Sequence, residues 1–106
     1  MDYELSLARA EKLADTFAML SSPYRLQILG LLAKQGETNV GGILRAMPEL
    51  KPTTLSTHLI RLKQAGLIDC RRKHRYRYYF IRDTAILRLI ESTDDLYSCA
   101  SSEVTR

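Results

Sequence analysis

Hydrophobic residues recur at helical spacing over the first half of the chain. The first series predicts an amphipathic helix, and its members are Leu5, Leu13, Phe17 and Leu20. Ser22 and Pro23 favour the start of a second helix, because serine caps free backbone N–H groups and proline suits the first helical position. This second helix runs from about 24 to 34 and is apolar on much of its circumference, as expected for a helix in the centre of a core.

Two shorter helices are predicted next. Thr38 or Asn39 can cap the first of them, which contains two glycines and therefore needs tertiary packing to be stable. The other runs from about Thr53 to Ala65 and ends at Gly66. Because each residue advances about 100° around a helix, one apolar stripe forms, consisting of Leu55, Leu59 and Leu62. The outer face is short, hydroxylic and basic: Thr53, Thr57 and Gln64 lie opposite the stripe, and its shoulders carry Thr54, Ser56, Arg61 and Lys63.

Alternation of side chains replaces helical spacing between residues 67 and 81. The pattern predicts two antiparallel strands, at 67–72 and 75–81, joined by a turn at Lys73 and His74. Arg75 and Arg77 share one face of the second strand, and the other face carries Tyr76, Tyr78 and Phe80. We expect at least half of the four aromatic residues in this strand to point into the core, among Tyr76, Tyr78, Tyr79 and Phe80. A last helix is predicted from about 84 to 97.

These elements make the fold mainly α with a small β-hairpin: about five helices plus two antiparallel strands. A chain of 106 residues with 45% hydrophobic content is expected to form one domain, here residues 1–100, followed by a flexible tail at 101–106. The N-terminus has neither a basic start nor an apolar core, so we expect a soluble, cytoplasmic protein without a membrane partner. With two histidines and no glycine-rich phosphate loop, we expect no enzyme activity and no cofactor.

Charge is concentrated in the second half of the chain. Residues 51–82 contain nine Lys/Arg against one acidic residue, whereas residues 1–50 contain five against six and residues 83–106 two against five. The net charge of +4 therefore conceals a basic block of the kind found in nucleic-acid-binding proteins. Two other interpretations are open: a solvated basic face, and a sheet edge protected by positive charge.

The order of elements around this block is typical of a winged helix-turn-helix. A recognition helix must enter a major groove roughly 12 Å wide, and short side chains such as Thr and Ser allow it to approach the base edges. The basic hairpin would then lie along the phosphates, which position a protein on DNA. An alternative is a winged-helix module that binds protein or RNA without an operator, since exposed tyrosines can stack on unpaired bases.

The chain resembles the ArsR/SmtB family of dimeric winged-helix repressors over residues 10 to 98. Residues 20–29, Leu-Ser-Ser-Pro-Tyr-Arg-Leu-Gln-Ile-Leu, match the family pattern L-S-x-P-x-R-L-x-I-L, and residues 54–59 match S-x-S-x-H-L apart from the first position. Residues 62–68 and the end of the hairpin at Tyr78 and Tyr79 extend the match. The resemblance implies a homodimer that binds double-stranded operator DNA with an inverted repeat.

The resemblance places DNA contacts on five residues of the recognition helix: Thr53, Thr54, Ser56, Thr57 and His58. The basic block itself completes the candidate DNA-binding set with Lys51, Arg61, Arg72, Lys73, His74, Arg75 and Arg77. The dimer interface would be formed by the first and last helices through Leu13, Phe17, Leu20, Ile86, Leu89, Ile90 and Tyr97. For His58 a second interpretation is open, because it lies about 60° from the apolar stripe and can pack at the core boundary.

Neither metal site of the family has its ligands here. Asn39 and Gly41 occupy the cysteine places of the family's E-x-C-x-C-x-L box, and Ala85 stands where the last helix would supply a histidine after Asp83. We therefore expect no metal site. Cys70 and Cys99 are the candidate thiol sensors, since the cations after Cys70 favour the reactive thiolate. The alternative for both cysteines is a small packing residue, which is the usual role of an unmatched cysteine.

The sequence thus predicts a sequence-specific DNA-binding transcriptional regulator. We expect it to be a dimeric repressor that an effector releases from DNA, and thiol oxidation, persulfide and metalloid are the candidate signals.

Overall fold

The computed structural model describes residues 4–93. In chain order the elements are α1 Leu7–Leu20, α2 Pro23–Gln35, β1 Thr38–Asn39, α3 Val40–Ala46, α4 Pro52–Gln64, β2 Ile68–Lys73 and β3 Tyr76–Ile81. A last helix, α5, occupies residues 84–93. The predicted five helices and hairpin are confirmed. Tyr97, Cys99 and the predicted tail at 101–106 lie outside the described residues.

Side-chain caps define where the helices begin. Ser22 accepts a hydrogen bond from the Arg25 N–H at 3.3 Å, and Pro23 occupies the first position of α2, as predicted. Of the two candidates for α3, Asn39 is the cap, and its side-chain oxygen accepts from the Gly42 N–H at 2.8 Å. Asp83 accepts in the same way from the N–H groups at the start of α5.

The sheet has three antiparallel strands in the order β1-β3-β2, one strand more than predicted. β1 contributes two residues, with Thr38 opposite Tyr79 and Asn39 opposite Tyr78. The hairpin register runs from Ile68 opposite Ile81 to Lys73 opposite Tyr76. A two-residue strand has no alternation of its own, and β1 forms only because β3 supplies its hydrogen-bond partners.

The buried core lies between α2, α3 and α4. Ile28 and Leu29 of α2, Ile43 of α3 and two leucines of α4, Leu55 and Leu62, are completely inaccessible to solvent. Each such side chain contributes about 1.5–3 kcal/mol to folding. The recognition helix predicted from the sequence is therefore attached to the centre of the protein by its apolar stripe.

Fewer aromatic residues of β3 pack against the core than the half that the sequence predicts. Of the four, Tyr79 packs against the buried cluster, together with Ile81. Side chains alternate along a strand, so Tyr76, Tyr78 and Phe80 lie on the other face. Tyr76 is 47% exposed, and its ring contacts that of Tyr78 edge to face at 6.5 Å.

Two of the predicted interface residues pack in the core of the single chain, and the interface itself remains a prediction. Leu20 and Ile86 are only 6% exposed and lie in the buried cluster. Each ends or begins a helix at the point where that helix joins the core, so it has little surface left for a partner. Leu13, Phe17 and Leu89 are 41%, 56% and 38% exposed, and Ile90 packs partly against the core. Between residues 4 and 93, no helix is long and apolar enough to cross a membrane.

Candidate nucleic-acid interface

Helix α4 presents a polar face on a rigid apolar base. Its stripe of Leu55, Leu59 and Leu62 is buried. Its exposed positions include the predicted DNA-binding residues Thr53, Thr54, Ser56, Thr57 and Arg61, and Lys51 is exposed just before the helix. The Thr57 hydroxyl donates to the Thr53 carbonyl at 3.2 Å. Its oxygen lone pairs and methyl group therefore remain for an external partner.

The turn before α4 is held by buried hydrophobic residues. Met47 and Leu50 are both buried, and the Leu50 N–H donates to the Met47 carbonyl at 3.0 Å. Lys51 is the N-cap residue, is exposed and makes no side-chain cap bond, so no side-chain cap occupies the first N–H groups of α4. A helix N-terminus in this arrangement favours anions such as phosphate.

The wing, residues 68–81, is coupled directly to α4. Gly66 adopts a φ of 79°, a conformation that favours glycine, and the Leu67 N–H donates to the Leu62 carbonyl at 3.1 Å. Leu67 and Ile68 are buried, which anchors the base of the wing in the core. The position of the wing relative to α4 is thereby determined by a short, well-packed connection.

The tip of the wing carries exposed cations beside aromatic rings. All five predicted wing residues are exposed: Arg72, Lys73, His74, Arg75 and Arg77. The Lys73 ammonium lies 5.9 Å from the centre of the Tyr78 ring, and the Arg75 guanidinium lies 5.4 Å from that of Tyr76. His74 has a φ of 60°, so the turn is made without glycine. Arg71 instead forms an ion pair with Glu37, with 2.5 Å between its Nη2 and the Glu37 Oε2.

His58 is the one predicted DNA-binding residue of α4 that is half-buried. The Arg25 Nε donates a hydrogen bond to its Nδ1 at 3.3 Å, and the Tyr24 ring lies 6.1 Å away. Burial first, and then the Arg25 and Arg61 charges, lower the pKa of His58 from its ordinary value of 6.5. The packing of His58 at the core boundary, the second interpretation from the sequence, is thus observed, and its contact with DNA remains a prediction. Arg25 was not among the predicted site residues.

The positions of the family's metal ligands have structural roles in this chain. Asn39 caps α3 and Asp83 caps α5. The candidate sensor Cys70 is half-buried in β2, opposite Tyr79, and its backbone N–H donates to the Asp69 carboxylate at 2.8 Å. Among the cations that follow it, Arg72 shares its face of the strand, and Arg71 lies on the opposite face.

Comparison with known proteins agrees with this arrangement. Residues 20–71 match the family model described as a helix-turn-helix domain. An uncharacterised helix-turn-helix transcriptional regulator of Methanocaldococcus jannaschii is 34% identical over 90 residues, which cover 85% of this chain and all of that protein. A homologue of the transcriptional repressor SmtB from Synechocystis is 31% identical over 91 residues, 86% of this chain and 67% of that protein.

A solved structure resembles the fold closely. It is the homodimeric winged helix-turn-helix DNA-binding domain of a possible ArsR-family regulator from Mycobacterium bovis, with a TM-score of 0.78 and 30% identity. The match covers 99% of this chain and 95% of the other. The motifs, the fold and these relatives lead to one conclusion: the chain belongs to the ArsR/SmtB family of winged helix-turn-helix transcriptional regulators.

Proposed function

We propose that this regulator is a homodimeric repressor that binds an inverted repeat in double-stranded DNA and leaves it in response to a signal. The observation that carries the proposal is the exposed, hydroxyl-rich face of α4, which stands on three buried leucines. Small side chains on a rigid helix suit the major groove, where base edges differ in their donors and acceptors. A transcriptional regulator with these properties would work in the cytoplasm.

The residues divide into two roles. Thr53, Ser56 and Thr57 are the candidates for base contacts, because they are short and exposed on one helix. The long cations of the wing, Arg72, Arg75 and Arg77, are the candidates for phosphate contacts. The remaining candidates flank these two groups and would contact the backbone: Lys51, Thr54, His58, Arg61, Lys73 and His74.

Exposed apolar side chains on α1 and α5 support the proposed dimer. In the single chain Phe17 is 56% exposed, Leu13 41% and Leu89 38%, and exposed apolar patches commonly mark protein interfaces. A two-fold pair would place two α4 helices at half-sites about one helical turn, roughly 34 Å, apart. The M. bovis neighbour, which is homodimeric, has the same fold.

The releasing signal, where it acts directly on the protein, is proposed to reach a thiol. Half-buried Cys70 directly precedes the exposed half of β2, so modification of its sulfur would displace the wing cations from phosphates. Cys99 is the second candidate. Operator release by peroxide, persulfide or arsenite should then disappear in a Cys70→Ser, Cys99→Ser double variant. Zinc, cadmium and nickel should release neither the wild-type protein nor the double variant from the operator. Release that persists unchanged in the double variant would exclude the thiols.

The experiment that tests the DNA-binding proposal is selection from a random duplex library with the wild-type protein. We expect an imperfect inverted repeat, bound about 10³-fold more tightly than a shuffled duplex of the same composition. A single-stranded RNA of the same length is the third probe, because Tyr76 is exposed and could stack on an unpaired base. Equal affinity for all duplexes, with tighter binding to the RNA, would favour the RNA-binding module instead.

A further inference from the structure

The geometry points to Arg25 as a positioning residue for the DNA-binding helix: it holds His58 in the tautomer with its proton on Nε2, so that His58 offers one neutral donor to a DNA phosphate. This inference rests on the proposed function, because it supposes that α4 contacts DNA. It concerns a side chain of α2 that lies 33 residues before His58 in the chain.

The tautomer follows from the donor. An arginine Nε always carries a hydrogen and cannot accept, so the Nδ1 of His58 must accept through its lone pair. In a neutral imidazole the proton then resides on Nε2, which becomes a donor. A charged His58 would carry hydrogen on both ring nitrogens, lose this bond and place two cations 3.3 Å apart. Burial and the charged groups around the ring favour the neutral form in the same way, since burial first, and then Arg25 on α2 and Arg61 on α4, lower the pKa of His58.

The free nitrogen of His58 is accessible. Among residues 4–93, no polar group is hydrogen-bonded to Nε2, and no buried side-chain nitrogen or oxygen lacks a partner. Nε2 must therefore reach solvent. On α4, His58 is one turn from Thr54 and from Arg61, both exposed members of the proposed DNA-binding face. A phosphate bound beside that face would find the Nε2–H donor between a hydroxyl group and a guanidinium group.

Arg25 is itself held by a second contact. Its Nη1 donates to the Met19 carbonyl at 3.1 Å and approaches the Met19 sulfur at 3.4 Å. The guanidinium thus joins the last turn of α1 to α4 from its place on α2. Its rigid fork directs Nε and Nη1 to two acceptors at once, which the single ammonium of a lysine cannot do with the same geometry. Arginine is therefore required at this position for the bond to His58 and the bond to α1 to exist together.

The first test uses nitrogen NMR of the free protein with ¹⁵N-labelled histidine. Wild-type His58 should show an unprotonated Nδ1 and a protonated Nε2, whereas exposed His74 at the wing tip serves as the internal control with a mixture of tautomers. In Arg25→Met, His58 should also become a mixture, and its pKa should move up towards 6.5. Lys34→Met, which removes an exposed charge from the same helix, should leave both His58 signals unchanged.

The second test is a double-mutant cycle on the duplex selected with the wild-type protein. Arg25→Met and His58→Phe should each weaken binding about tenfold, and the double variant should be no weaker than either, because one contact is lost in all three. A neutral donor releases no counterion, so His58→Phe should leave the salt dependence of binding unchanged. Thermal unfolding checks that the variants fold, and Arg25→Lys, which keeps the charge, should restore only part of the affinity.

The outcomes separate the inference from the function on which it rests. A wild-type His58 with its proton on Nδ1, or a tautomer that does not change in Arg25→Met, overturns the positioning role. Losses that multiply in the double variant show that Arg25 acts on DNA independently of His58, which also overturns it. If the wild-type protein prefers no duplex over the shuffled one, the proposed function fails and the phosphate contact with it, while the NMR result still decides whether Arg25 sets the tautomer.

Discussion

Helix α4 and the wing are both exposed and basic, yet they are built in opposite ways. The outward side chains of α4 include four with short hydroxyl groups, on a helix anchored by three buried leucines. The wing presents long cations on a hairpin whose tip leaves the core, with Lys73 and Arg75 resting over tyrosine rings. The difference shows why one element suits base edges, which require short side chains at fixed positions, and the other suits phosphates, which require charge and reach.

The largest effect is expected from removing the rigid support of α4. Leu55→Ala truncates a completely buried side chain and should lower the free energy of unfolding by about 2–5 kcal/mol, because a cavity remains in the core. Urea denaturation followed by circular dichroism measures the loss. The matched control is Ile60→Ala on the same helix, where the side chain is 55% exposed and the change should stay within about 0.5 kcal/mol. Equal losses in the two variants would mean that α4 is not anchored as described.

A smaller effect is expected from the outward face of α4. Ser56→Ala or Thr57→Ala should cost about 1–3 kcal/mol in binding to the selected duplex, since each removes a hydroxyl group proposed to meet a base edge. Binding to a shuffled duplex should hardly change. Fluorescence anisotropy with both duplexes measures the two affinities, and a parallel loss on both would assign these residues to the phosphates instead.

Compared with the hydroxyl groups of α4, individual wing cations should contribute less to the sequence specificity of DNA binding and more to its salt dependence. Arg75→Ala or Arg77→Ala should weaken binding to the selected and to the shuffled duplex by a similar factor. Each variant should also reduce the slope of log affinity against log salt concentration by about one per lost phosphate contact. Glu37→Gln removes the partner of Arg71 without removing a wing cation, and so serves as the comparison. A change confined to the selected duplex would give the wing a part in base readout.

The smallest effect is a dependence of stability on pH through His58. Its pKa is lowered in the folded protein by burial, Arg25 and Arg61, so the unfolded chain binds more protons as the pH falls below the ordinary value of 6.5. The stabilisation from neutral His58 is complete above that value and is lost as the pH decreases through the folded pKa. The free energy of unfolding should therefore fall between about pH 7 and about pH 5 in the wild type, and less steeply in His58→Phe. Identical pH profiles would contradict the environment described for His58.

Much of this protein was determined by local sequence. The five helices and the hairpin follow from hydrophobic spacing, from Ser22 and Pro23 at the start of α2, and from the alternation after Gly66. The polar face of α4 is equally local, because the 3.6-residue period alone separates Leu55, Leu59 and Leu62 from the hydroxyl-bearing residues. Family membership, confirmed by the relatives, also depended on motifs within short stretches of sequence.

Tertiary structure decided what depends on partners distant in the chain. β1 exists because β3 lies beside it. Alternation divides the residues of β3 between two faces but does not select which face is buried. The packing of Tyr79 and Ile81 on the core made that selection. The bond between Arg25 and His58 likewise has no local signal, because it joins two helices far apart in sequence. Periodicity describes one element at a time, and only the packing of elements selects which face is buried and which side chains meet.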